Sequence, residues 1–230
     1  LDFTHEAGTL SVELSYTATW GDTLRFTVSY RGEGSRPGFF FDEPTAEHPR
    51  LLTTDSWPDE ARFWVPCWDD PGDKATQRMR ITAADSFQVL SNGRLDSTAA
   101  DTARGTTTWY WNQDTPHATY LWMLAVGPFE VVADSLGSLP VRYWVYPQDL
   151  PRAREVFGRT PAMIRYFEEL FGVPYPWAKY DQVTTPHVGG GAEATSATIL
   201  GDGVVSESGA EPGFGWQQVI AHEIAHQWFG

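Results

Sequence analysis

His222-Glu223-Ile224-Ala225-His226-Gln227-Trp228-Phe229-Gly230 closes the sequence and decides how the rest of it is read. At about 100° per residue on a helix, His222 and His226 fall one turn apart on the same face, near enough for both imidazoles to reach one metal ion. Ile220, Ile224 and Trp228 repeat the i, i+4 spacing on a different face, which predicts a helix anchored in a core. Glu223 falls on the flank of the histidine face, where a carboxylate beside a metal can take a proton from a water that the metal acidifies. The competing reading is a surface helix with two ordinary histidines. A catalytic zinc site needs three protein ligands and an open position, and this stretch supplies two. The third is therefore expected from elsewhere in the chain or from beyond Gly230, and the chain reads as a fragment that stops in mid-helix.

Composition narrows the class before any further motif is used. At 230 residues there is material for one large domain or two small ones, and 41% hydrophobic residues with 11 Trp, 13 Phe and 9 Tyr predict a folded, aromatic-rich globule. A net charge of −14 argues against nucleic acid as a partner and fits solubility. Cys67 is the single cysteine, so no internal disulfide forms, and its neighbours Pro66 and Trp68 suit a small packed side chain better than a nucleophile. No apolar run reaches membrane-spanning length. The compartment, cytoplasmic or exported, and the oligomeric state are not fixed by these features.

Taken in order, the first part of the chain reads as strands. Leu10, Val12 and Leu14 alternate with polar residues, as do Leu24, Phe26, Val28 and Tyr30, predicting half-buried antiparallel strands. Further strands are expected at residues 77–83, 87–90, 106–111, 120–126, 129–132 and 141–146. After Pro147 the period changes. Thr160 suits an N-cap with Pro161 at the first helical position; Met163, Ile164, Phe167, Leu170 and Phe171 form a helical stripe that Gly172 ends. A weaker helix is expected at 150–158, and strands at 180–185 and 197–200 flank a Gly-rich bend at 189–191. The change of period places a domain boundary near residue 147, giving an α+β chain: a β-rich domain over 1–147, then an α/β domain over 148–230.

Several stretches, in this order, resemble the aminopeptidase N family of zinc metallopeptidases, the gluzincin aminopeptidases. They are Asp59–Met79 (DEARFWVPCWDDPGDKATQRM), Leu90–Gly93 (LSNG), Gly172–Tyr180 (GVPYPWAKY), Gly190–Glu193 (GGAE) and Val219–Gly230 (VIAHEIAHQWFG). An HExxH pattern alone is shared by many zinc peptidases; the ordered set is far more specific. The resemblance implies an antiparallel, saddle-like N-terminal β domain, incomplete at its start, followed by the first half of a thermolysin-like catalytic domain. It implies zinc held by His222 and His226, with Glu223 as general base. Gly190, Gly191, Ala192 and Glu193 stand where the family has its substrate-binding exopeptidase motif, in which the Glu holds the free α-amine of a peptide. The Met and Asn positions of that motif are Ala192 and Ala194 here, so an amide expected to contact substrate is missing. The family's third ligand, a Glu, and its oxyanion-stabilising Tyr would lie past Gly230, and the isolated fragment is expected to be inactive.

The resemblance thus implies a zinc aminopeptidase acting on peptides with a free N-terminus. Its rivals are a zinc endopeptidase with the same HExxH, and a non-catalytic β-rich binding module that keeps a relic zinc helix. Glu193 has a physical rationale of its own, since a carboxylate on a Gly-rich edge near a metal can pair with an ammonium and set its distance from the metal. His117 and His187 read as loop or packing histidines, and Asp69, Asp70 and Lys74 as turn or salt-bridge residues.

Overall fold

The computed structural model describes residues 2–45, 49–206 and 215–230. The chain divides into two compact units, Leu1–Glu33 and Gly34–Gly230. In the first, strands Phe3–Glu6 and Thr9–Val12 pair antiparallel through a two-residue turn at Ala7 and Gly8, both at positive φ. The strand expected at 24–30 does not form: alternation gives that segment an apolar face, but a strand also needs a neighbouring strand, and no ladder among the described residues includes it.

The second unit begins with two antiparallel sheets. One has the order Phe39–Asp42, Leu51–Thr54, Leu124–Gly127, Gln88–Ser91; the other has Thr106–His117 at its centre, between Ala75–Ala84 and Arg94–Asp101. Leu51–Thr54 and Arg94–Asp101 carry no readable strand signal. The first is short and buried without alternation. The second is polar and mostly exposed, an edge strand held by its long partner rather than by its own propensity. Residues 120–126, expected as one strand, split into a 3-10 turn at Thr119–Leu121 and a strand at Leu124–Gly127. Side chains take the ladder's place there, because Asn92 Nδ2, Ser56 Oγ and Ser91 Oγ donate to the carbonyls of Leu121, Trp122 and Met123.

The mixed sheet that carries the site has the order Glu130–Leu136, Leu139–Val145, Tyr180–Thr185, Ala197–Gly201, Gly191–Ala192. Leu139–Val145 and Tyr180–Thr185 are parallel, so the chain must cross over between them, and it does so through helices Leu150–Phe157 and Thr160–Phe171. The second helix ends at Gly172 with φ 65°, as the Gly stop signal predicts. Its start differs from expectation: Thr160 is already helical and its hydroxyl donates to Gln182 Oε1 at 2.7 Å instead of capping, a bond to a neighbouring strand that sequence spacing does not reveal.

Helix Trp216–Phe229 carries the closing motif. Ile220 and Ile224 are completely buried against Val141, Tyr143, Tyr180 and Leu200, while Trp228 packs with Phe167, Phe171 and Tyr175. A second core is shared between the early sheets and the mixed sheet, joining Val89, Leu90, Trp111 and Met123 to Trp144, Val183, Ala192 and Ile199. The fold is thus a strand-rich antiparallel region followed by the start of a helix-containing α/β region, in agreement with the α+β expectation. Among the described residues no helix is long and apolar enough to cross a membrane.

Candidate active site

Burial of Ile220 and Ile224 fixes the rotation of helix Trp216–Phe229, and that rotation decides where its polar residues point. His222 is exposed and His226 half-buried on one face; their Nε2 atoms lie 3.0 Å apart, with the two rings nearly perpendicular. Ligands at tetrahedral angles about a zinc ion at about 2.0–2.1 Å lie roughly 3.3 Å from each other, so the two nitrogens already converge as a shared ion requires. Among the described residues no third His, Cys, Asp or Glu joins them in a metal-holding cluster.

Glu223 is buried beside this face, and its Oε2 has no hydrogen-bond partner. Burial, then the negative charges of Glu193 and Asp55, push its carboxyl up to about 8. Strand Gly191–Ala192 passes directly over it: a Cβ on Gly191 would sit 2.4 Å from Glu223 Cγ, Cδ and Oε1. Only glycine allows this approach. The strand pairs with Ala197–Gly201 on one side and is the last of the sheet among the described residues, and Gly190 closes the bend by accepting the Gly201 N–H at 2.9 Å. Glu193, half-buried, follows at the end of that strand. Ala192 and Ala194 are 7% and 6% exposed and pack into the shared core.

The sequence-derived set His222, Glu223, His226, Gly190, Gly191, Ala192 and Glu193 is therefore gathered around one end of the mixed sheet. Two neighbours were missed. Asp55, just after strand Leu51–Thr54, has its carboxyl raised first by burial and also by the charges of Glu193 and Glu60; Tyr120 has its hydroxyl raised by burial and by Glu193. Both lie far from the motif in sequence and only folding brings them near, although Asp55 does sit just ahead of the Asp59–Met79 stretch. His187 and His117 have other surroundings. His187 pairs with Asp42 at 2.5 Å and stacks on Phe40, and His117 is buried, with its imidazole pushed down to about 4 by that burial. Asp69 bonds Arg62 and Thr119, a structural role, and Cys67 is half-buried with its thiol raised to about 11.

Chemically, this end of the sheet offers converging imidazole nitrogens, a buried carboxyl pushed up to about 8, a sheet edge with no further strand among the described residues, and further carboxylates whose charge favours a cation. Comparison with known proteins bears on the family. The Peptidase M1 N-terminal domain family profile matches residues 2–121, and the Peptidase family M1 domain profile matches 156–230. Glutamyl aminopeptidase of Rattus norvegicus is 29% identical over 236 residues, and that of Homo sapiens 30% over 234, each covering 96% of this chain and 24% of the relative. Probable aminopeptidase 2 of Sulfurisphaera tokodaii is 27% identical over 192 residues, covering 80% of this chain and 24% of the relative. The chain spans about a quarter of the length of these relatives. With one family profile covering more than half of the residues and a second covering the motif helix, the chain belongs to peptidase family M1.

Proposed function

We propose that this chain forms part of a zinc-dependent aminopeptidase that removes the N-terminal residue of peptides. The observation that carries the reading is the convergence of His222 and His226 Nε2 next to the unpartnered Oε2 of Glu223, under a sheet edge that leads to Glu193. His222 and His226 are metal ligands in this proposal, and the donor set fits zinc. When bound, zinc supplies Lewis acidity that polarises the scissile carbonyl and makes water a better nucleophile.

The chain's own residues do the rest. Gly190, Gly191 and Ala192 present the free backbone edge, along which an extended peptide adds as a further strand. Glu193 pairs with the α-ammonium, and Asp55 adds to the negative potential that holds it. Glu223 takes the proton of the attacking water as the C–O bond forms, and returns it to the departing nitrogen as the C–N bond breaks. Its raised carboxyl suits both transfers near neutral pH. Residues 1–147 act as a strand-rich domain and 148–230 as part of the peptidase domain, with strands Glu130–Leu136 and Leu139–Val145 of the former extending the sheet of the latter.

The test uses the full-length protein loaded with zinc. Glu223→Gln should lower turnover of amino-acid anilides by about 10²-fold or more with zinc content unchanged. Glu193→Ala should weaken free-amine substrates by about 1.5–3 kcal/mol, the range for a hydrogen bond to a charged group. N-acetylated peptides should be poor substrates throughout. Equal cleavage of blocked and free peptides by the unsubstituted enzyme would convert the reading to an endopeptidase.

A further inference from the structure

Gln227, next to His226 and 3% exposed, has no part in the chemistry above, yet its side-chain amide is fully engaged. Its Oε1 accepts the Ser196 N–H at 2.8 Å and the Tyr175 hydroxyl at 3.4 Å. Its Nε2 donates to the carbonyls of Ala194 at 3.3 Å and Glu193 at 3.5 Å, and its own carbonyl accepts the Trp177 indole N–H at 2.9 Å. Only one orientation of the amide fits, because turning it over would set NH₂ against an N–H and oxygen against two carbonyls. One helical side chain thus grips the backbone of the segment that bears Glu193.

That segment is held from other sides too. Ser196 has φ 62°, a left-handed conformation that side chains rarely adopt. Its Oγ accepts the Gly93 N–H at 2.8 Å and its carbonyl accepts Lys179 Nζ at 3.0 Å. These bonds tie it to the early sheets and to the central strand; the bonds of Gln227 tie it to the helix of His222 and His226.

The geometry points to Gln227 as a positioning residue that sets the distance between the Glu193 carboxylate and the two-histidine face. This rests on the aminopeptidase reading proposed above. The reasoning is one of tolerance. An exopeptidase must hold an amine and a scissile carbonyl one residue apart, and displacement by about 1 Å at either end loses the productive alignment. Residue 227 shares a rigid helix with both histidines, so bonds from its side chain transmit the helix's position straight to the Glu193 backbone.

The test uses full-length, zinc-loaded protein and a pair of non-hydrolysed ligands, leucine hydroxamate and its desamino counterpart, with binding measured by calorimetry and zinc content measured in parallel. Their affinity ratio reports the amine contact separately from the metal contact. Glu193→Ala should reduce that ratio about tenfold or more, and Gln227→Met, similar in size but without the hydrogen bonds, should reduce it by about three- to tenfold. Because both act through one contact, the double variant should lose no more than Glu193→Ala alone. A Gln227→Met protein that keeps the ratio, while Glu193→Ala collapses it, would overturn the positioning role and leave the amine site standing. A ratio insensitive to Glu193→Ala would remove the amine site and this inference together. Should Gln227→Met not fold, Gln227→Glu carries the same test: it keeps the acceptor for Ser196 and abolishes the donor to Ala194 and Glu193, and an unchanged ratio there is equally fatal.

Discussion

A side chain at position 191 would occupy the space that Glu223 fills, so this pair couples a backbone choice to a carboxyl group. Gly191→Ala should displace Glu223, because the clash falls on its Cγ and Cδ and not on a free tip; we expect kcat of the full-length protein to fall about tenfold or more at unchanged zinc content. The raised carboxyl of Glu223 makes a second prediction, for protein stripped of metal. Its pKa lies near 8 in the fold against 4.5 for the free group, so the fold holds the proton more tightly than the unfolded chain does. That contribution is fully present below pH 4.5 and is lost as pH rises through 8. Glu223→Gln cannot lose it. Melting temperatures of the two proteins should agree at pH 4.5 or below and diverge in favour of the variant up to about pH 8, and a gap that narrows with rising pH would refute the assignment.

Among the elements, the central strand Tyr180–Thr185 carries the most concentrated polar load. Asp181, completely buried, accepts from Arg142 Nε and Nη2 at 2.8 and 3.1 Å and pairs with Lys179 Nζ at 3.0 Å. Arg142 and Lys179 both approach the Trp111 ring, so the strand's charges are packed against the early sheets. Burial holds the Lys179 ammonium down to about 8 even with Asp181 beside it. Removing the shared acceptor leaves the buried Lys179 and the part-buried Arg142 without their carboxylate. Asp181→Asn should therefore destabilise the fold by about 3–5 kcal/mol in urea unfolding, far more than loss of an exposed pair such as Arg94–Asp96.

At the scale of the molecule, the join between the early sheets and the site-bearing sheet depends on Asn92 and Gly93. Asn92 Nδ2 donates to the carbonyls of Leu121 and Thr195, its Oδ1 accepts the Met123 N–H, and the Gly93 N–H reaches Ser196. Asn92→Ala strands the Met123 N–H and the Thr195 carbonyl in the interior, while the Leu121 carbonyl keeps the Thr195 N–H at 3.2 Å. A loss of about 2 kcal/mol or more is expected, read as a lower urea midpoint, and a midpoint within error of the parent would show that the join lies elsewhere. Gly93 is less replaceable still: at φ 72° a Cβ would lie 2.1 Å from the Asn112 backbone oxygen.

Periodicity revealed the motif helix, the stripe that Gly172 ends, and the strands expected at 77–83 and 106–111, which run over 75–84 and 106–117, because each repeats its apolar spacing long enough to select one secondary structure. The i, i+4 spacing of His222 and His226 likewise put them on one face, since helix geometry is local. Where burial came from partners distant in sequence, spacing gave no guide: Leu51–Thr54 and Arg94–Asp101 are strands through pairing, 24–30 is not a strand for want of it, and Thr160 bonds a neighbouring strand instead of capping its helix. The same distinction divides the candidate site. Residue types and local spacing single out the histidines and Glu223 as candidates, and the family resemblance adds Glu193. Tertiary structure alone brings Asp55 and Tyr120 into their field, lays Gly191 over Glu223 and closes Gln227 on the Glu193 backbone, because those contacts depend on how sheets and helix pack and no local repeat encodes them.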